Sequence, residues 1–143
     1  MTAGHPVRVV VTNAALEDLR SIARRHPPVL AETVRLLRDL ERGLVAVQPL
    51  RNFGKTGDLS DCGKIRVIVD GMPEHRIVVR DLDDGSFEIL DVVAVEERAD
   101  DVVYLLAAVR LSRFSDPIRR SDVEQRLARI LMMRRPPEGD RRD

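Results

Sequence analysis

Four cations on two neighbouring stretches are the residues best suited by type and spacing to do chemistry. In Lys64-Ile65-Arg66-Val67-Ile68-Val69 the first four positions alternate, so in an extended chain Lys64 and Arg66 share one face. Ile65, Val67 and Val69 then face the other way. His75-Arg76-Ile77-Val78-Val79-Arg80 repeats the arrangement, with Arg76 and Arg80 opposite Ile77 and Val79. Two adjacent strands of this kind hold a positive platform, and guanidinium and ammonium groups so grouped can grip phosphate oxygens. The plainer expectation is a solvated sheet face, since antiparallel sheets often keep one side wet.

Other constellations offer less. His5, His26 and His75 are far apart and lack partners at metal-ligand spacing. His75 is expected at the surface beside a turn, with contact to a base or phosphate as the sharper alternative. Cys62 has no histidine at a recognisable spacing and reads as a structural thiol. Gly54-Lys55-Thr56-Gly57 lacks the preceding glycine pattern and the strand-to-helix setting of a phosphate loop. Asp81, Asp83 and Asp84 read as turn chemistry. No metal and no cofactor is expected.

The chain has 143 residues, 43% hydrophobic and 34% charged, which suits one globular domain with a modest core. No apolar run approaches the ~20 residues of a membrane helix, and no basic segment precedes an apolar one at the N-terminus. A single cysteine excludes an internal disulfide and fits a reducing, cytoplasmic setting. Basic and acidic side chains number 24 each. Residues 1–113 carry 16 basic and 18 acidic groups, net −2; residues 114–143 carry 8 and 6, net +2. Any contact with nucleic acid must therefore be made by a local cluster and not by the field of the whole molecule. At 3% aromatics, no broad base-stacking surface is available.

These residues must be positioned by the elements around them. Val7–Val11 is β-branched and reads as a strand. Thr12 or Asn13 can cap a helix carrying Leu16, Leu19 and Ile22-Ala23, with Glu17 and Asp18 near its positive end. After His26-Pro27-Pro28 a second helix shows Leu30, Val34, Leu37, Leu40 and Leu44 as one stripe, with Gly43 as its stop. Residues 45–63 are loop-like. Strands are expected at 64–69, 75–80 and 87–95, the first pair joined by Gly71-Met72-Pro73-Glu74 and the second by Asp83-Asp84-Gly85. Asp100 can cap a helix reaching Arg113. Ser121-x-x-Glu124 is a capping-box pattern that opens one more helix, over 121–133, striped by Val123, Leu127, Ile130 and Leu131. From Arg134 the composition is that of a disordered tail. The order is β-α-α-β-β-β-α plus an extra C-terminal helix: an α+β domain over 1–114, an added helix over 115–133, and a tail over 134–143. The added helix is expected to pack against residues 100–113.

Asp61-Cys62-Gly63-Lys64-Ile65-Arg66, His75-Arg76-Ile77-Val78-Val79, Val95-Glu96-Glu97-Arg98 and Val103-Tyr104 with Arg110-Leu111, in this order of elements, resemble the RelE/ParE superfamily of toxin–antitoxin toxins. The likeness covers about residues 7–113 and is nearer the ribosome-dependent mRNA endonucleases of the RelE type. It implies a helical hairpin packed on an antiparallel sheet. By position, the family's two strand cations fall on Lys64 and Arg66, its next-strand arginine on Arg76, its loop arginine on Arg98 and its tyrosine on Tyr104. The implied partners are a cognate antitoxin and mRNA on the ribosome, with operator DNA reached only through the antitoxin complex and no membrane.

The chemistry gives those residue types a use. RNA can be cut by its own 2′-hydroxyl attacking the adjacent phosphate, which needs a base, cations on the doubly charged transition state, and a proton for the leaving oxygen. Lys64, its charge disfavoured by Arg66 and Arg76, or Tyr104 under the same field, can serve as the base. Arg66 and Arg76 would hold the non-bridging oxygens, and Arg98 would assist the departing 5′-oxygen. A second reading stays open: a non-catalytic ParE-like gyrase inhibitor, or a degenerate scaffold that only binds antitoxin.

Overall fold

The computed structural model describes residues 7–50, 52–53, 57–82, 89–97, 102–111, 113 and 117–134. Strand β1 (Arg8–Val11) leads into helices α1 (Asn13–Arg25) and α2 (Pro27–Glu41). Short strands β2 (Gln48–Pro49), β3 (Asn52–Phe53) and β4 (Gly57–Asp58) follow, then the long strands β5 (Cys62–Val67), β6 (His75–Asp81) and β7 (Ile89–Glu97). Helices α3 (Val102–Arg110) and α4 (Pro117–Arg134) complete the chain. This is the expected α+β order with small additions in the segment read as loop.

Local chemistry accounts for the helical hairpin. Thr12 caps α1, its hydroxyl accepting from the Ala15 N–H at 3.2 Å. The two helices are separated by His26 alone, and Pro27 opens α2, where its missing N–H costs nothing. Gly43, with φ +74°, ends α2. Its N–H donates to Leu40 and that of Leu44 to Asp39, so two of the orphan carbonyls of the last turn are satisfied.

The stripes are rotated from those read in the sequence. Helix α1 buries Ala15, Asp18 and Ile22, and α2 buries Val29, Thr33, Leu36, Leu37 and Leu40. Leu16 and Leu44 are exposed. A charged residue, Asp18, holds an inward position that hydrophobic periodicity assigns to leucine.

The main sheet runs β1-β7-β6-β5-β2. Its long strands pair antiparallel, as expected, but β1 pairs parallel to β7, because the α1–α2 hairpin carries the chain across the sheet before it re-enters. The register slips between Val78 and Val79 of β6, where β7 carries one extra residue, Val93, between Val92 and Ala94.

The sheet is covered on both sides. On one, Ile65, Val67, Ile77, Val79 and Val95 pack beneath the α1–α2 hairpin. On the other, Cys62, Val78 and Ala94 join Val102, Val103, Leu106 and Leu127 in a second core under α3 and α4. The face read as a platform is therefore apolar over part of its length, with Arg66 and Arg76 at one end, Arg80 at the other and Lys64 between them. Helix α4 packs on α3, as expected, with Leu127 buried and Val123 and Ile130 partly so. It begins four residues before Ser121: Pro117 is the opening residue, and Glu124 pairs with Arg120 at 2.9 Å instead of closing a capping box. Among the described residues no helix is long and apolar enough to cross a membrane.

Candidate functional site

Cross-strand pairing fixes which residues share a face. Arg66 lies directly opposite Arg76, Lys64 opposite Val78, and Cys62 opposite Arg80. Lys64 and Arg66, two positions apart on β5, are thus about 7 Å apart along the strand, with Arg76 alongside. Helix α3 enters over the same end of the sheet and delivers Tyr104, whose hydroxyl accepts a hydrogen bond from Arg76 Nη1. The Arg76 guanidinium carbon lies 5.9 Å from the centre of the Tyr104 ring, so the cation meets the ring near its hydroxyl end. Arg66, Arg76 and Tyr104 are brought together from three elements. Lys64 lies on the same face, half-buried. Arg98 lies outside the described residues.

A residue that pattern reading passed over completes the cluster. Glu74, read only as part of the turn, accepts from Arg66 Nη2 at 3.1 Å and from Arg76 Nε at 2.9 Å. Arg66 Nε is 3.4 Å from the same carboxylate. The available signal was position: Glu74 ends the hairpin whose arms carry the facing pair Arg66 and Arg76. The Arg66 hydrogen bond, opposed by slight burial and aided by Arg76, holds the Glu74 carboxyl below its usual range. Burial disfavours the Arg76 charge, yet its hydrogen bonds with Tyr104 and Glu74 prevail and raise its pKa. Two guanidinium groups and one carboxylate leave a net positive cluster beside Lys64, able to hold a single anionic group.

The fourth strand cation belongs elsewhere. Arg80 lies 3.3 Å from Asp61, which also takes a 2.6 Å bond from Arg113. This trio ties the far end of β5 and β6 to the end of α3. Cys62, beside it, is buried, and burial first, then the Asp61 charge, pushes its thiol up to about 12. So protonated a thiol is no nucleophile, as the sequence suggested.

His75 departs from expectation. Its side chain is fully buried, not at the surface. Nδ1 lies 2.8 Å from the Pro73 carbonyl oxygen, and the His26 ring meets it edge-on at 5.7 Å. It is an inward neighbour of Arg76, on the α1–α2 side of the sheet, and cannot touch a nucleotide bound by the cluster. Burial lowers its pKa, opposed by the Pro73 carbonyl, Glu96 and Glu97, with Arg25 adding to the lowering. A histidine whose folded pKa is depressed binds fewer protons in the native state, so it contributes stability above its unfolded value of 6.5 that is lost as pH falls below it. Melting temperature is expected to drop on acidification from pH 7 to 5. His75→Asn, which can still donate to Pro73, should flatten that dependence; equal slopes in the two proteins would remove His75 as its source.

Comparison with known proteins agrees with this architecture. No family model and no curated protein matches the chain. Among solved structures, the chain is similar to a YoeB/ParE toxin from Agrobacterium tumefaciens, with 22% identity, a TM-score of 0.48, and coverage of 64% of this chain and 98% of that one. It is also similar to the toxin–antitoxin complex RelBE2 from Mycobacterium tuberculosis, with 26% identity, a TM-score of 0.50, and coverage of 70% of this chain and 100% of the other. The chain has the fold of the RelE/ParE toxins. The resemblance carried by Lys64-Ile65-Arg66 and His75-Arg76 is thereby borne out, together with the fold it implied. Within this RelE/ParE fold, the cluster occupies one end of the sheet face that α3 and α4 leave uncovered by apolar packing.

Proposed function

We propose that this chain is the toxin of a toxin–antitoxin pair, an endoribonuclease that cuts mRNA on the ribosome by attack of the RNA's own 2′-hydroxyl. One observation carries the reading: Arg66, Arg76 and Tyr104 converge on one small cationic cluster with Lys64 beside it. In this scheme Lys64 or Tyr104 takes the proton of the 2′-hydroxyl, the 2′-oxygen bonds to phosphorus, and the bond to the 5′-oxygen breaks. Arg66 and Arg76 neutralise the non-bridging oxygens of the doubly charged transition state, and Arg98 stabilises or assists the departing 5′-oxygen, which takes up a proton as it leaves. Tyr104 accepts from Arg76, so its own O–H can be directed at the nucleotide. Neither a metal nor a covalent nucleophile is needed for this reaction. The setting is the cytoplasm, where ribosomes and a cognate antitoxin would both be met, and operator DNA would be reached only through the antitoxin.

The product ends test the chemistry. Ribosomes programmed with a defined mRNA should yield fragments whose new 5′ ends accept phosphate from polynucleotide kinase without prior dephosphorylation. New 5′-phosphate ends would instead mean attack by water and would overturn the scheme.

A non-catalytic ParE-like gyrase inhibitor, or a scaffold that only binds antitoxin, is favoured by one feature, the Glu74 carboxylate held between the two arginines. Expression separates the readings. Translation arrest with cut mRNA supports the nuclease; replication arrest with damaged DNA supports the inhibitor.

A further inference from the structure

We infer that Glu74 is an intramolecular stand-in for the substrate phosphate and sets how tightly the Arg66–Arg76 pair binds RNA. The inference rests on the proposal that this pair is a phosphate site. A guanidinium grips a carboxylate and a phosphate through the same paired N–H donors. On Arg66 the Nε and Nη2 edge faces Glu74, at 3.4 and 3.1 Å, and on Arg76 it is Nε, at 2.9 Å. Donors turned to the carboxylate cannot serve a phosphate at the same time, so RNA must displace Glu74 or be content with what remains.

The hairpin favours displacement by the side chain alone. Pro73 precedes Glu74 and fixes its own backbone, and the Pro73 carbonyl is held by the buried His75 ring. The backbone on either side of Glu74 is therefore anchored. Its side chain is only partly covered and has three rotatable bonds by which to leave. The carboxyl is held in its charged form by Arg66 and Arg76, so it competes across the neutral range. Its departure would add one unit of positive charge to the cluster at the moment the phosphate enters.

The full-length protein and its Glu74→Gln and Glu74→Ala variants would be titrated with a 2′-O-methyl RNA hexamer, which cannot be cleaved. Each would also be made with Arg76→Ala, and all would be compared by circular dichroism. Glu124→Gln, the same charge change on α4, serves as control. Both Glu74 variants are expected to bind about tenfold tighter than the parent, with the control near the parent and the gain lost when Arg76 is absent. Unchanged affinity that still depends on Arg76 overturns the role of Glu74 and leaves the phosphate site standing. A gain that persists without Arg76, or is matched by the control, is a general charge effect and also overturns it. Affinity indifferent to Arg76 in every background sinks the phosphate site itself. Should one variant fail to fold, the other, which differs in shape but not in charge, decides the same question.

Discussion

Arg76→Ala is expected to lower the rate of mRNA cleavage by about 10²–10³, the usual loss when one preorganised transition-state contact is removed. The expectation follows from its position. Arg76 contacts both Glu74 and Tyr104, and it is directly paired with Arg66 across β5 and β6. Folding should survive, because Glu74, itself partly exposed, keeps Arg66 as a partner when its pair with Arg76 is lost. Arg76→Lys keeps the charge but loses the planar fork, so it should recover only part of the rate. Tyr104→Phe removes the acceptor of the Arg76 hydrogen bond while keeping the ring, and its loss should fall on the turnover step more than on binding. The measurement is single-turnover cleavage on programmed ribosomes, with thermal melts as the folding control. Wild-type rates in folded Arg76→Ala would end the assignment of this cluster as the catalytic one.

The legible part of this fold was what short-range chemistry decides. The Thr12 cap, the Gly43 stop, the prolines that open α2 and the two-residue period of β5 and β6 are local signals, and the structure uses each of them. Because that period also sets faces, Lys64, Arg66 and Arg76 were seen to lie together before any pairing was known. What pattern reading missed depends on partners far along the chain. Asp18 reads as a charge near a helix start, yet it lies inside because Arg110 and the Val95 N–H meet it there. His75 reads as a turn residue, yet strand pairing turns it inward against His26. Glu74 could be found only by knowing that Arg66 and Arg76 face each other across the hairpin. The second core was hidden for the same reason: Cys62, Val78 and Ala94 alternate with charged residues and become a core only when α3 covers them.

Asp18→Ala is expected to cost about 3–5 kcal/mol of stability, the range for removing one partner of a buried ion pair. Strand β1 ends at Val11 opposite Val92, so further along β7 the edge has no strand to pair with. There the Asp18 carboxylate accepts the Val95 N–H at 2.9 Å and receives both terminal nitrogens of Arg110 at 2.6 and 2.8 Å. One side chain thus joins α1, β7 and α3, and α3 carries Tyr104. Asp18→Asn retains an acceptor for the Val95 N–H and should lose less than the alanine. Arg110→Ala adds a pH signature. Burial raises the Asp18 pKa above its ordinary 3.8, and Arg110, by hydrogen bond and charge, works in the opposite direction. Without Arg110 the upward push is less opposed. The native state then binds a proton that the unfolded chain releases above about pH 4, so stability falls as pH rises through the window between the two values. The deficit of Arg110→Ala relative to the parent should therefore be smaller at pH 5 than at pH 8. Urea unfolding at both values measures it, and a deficit independent of pH, or an Asp18→Ala cost under about 1 kcal/mol, would show that this contact does not hold α1, β7 and α3 together.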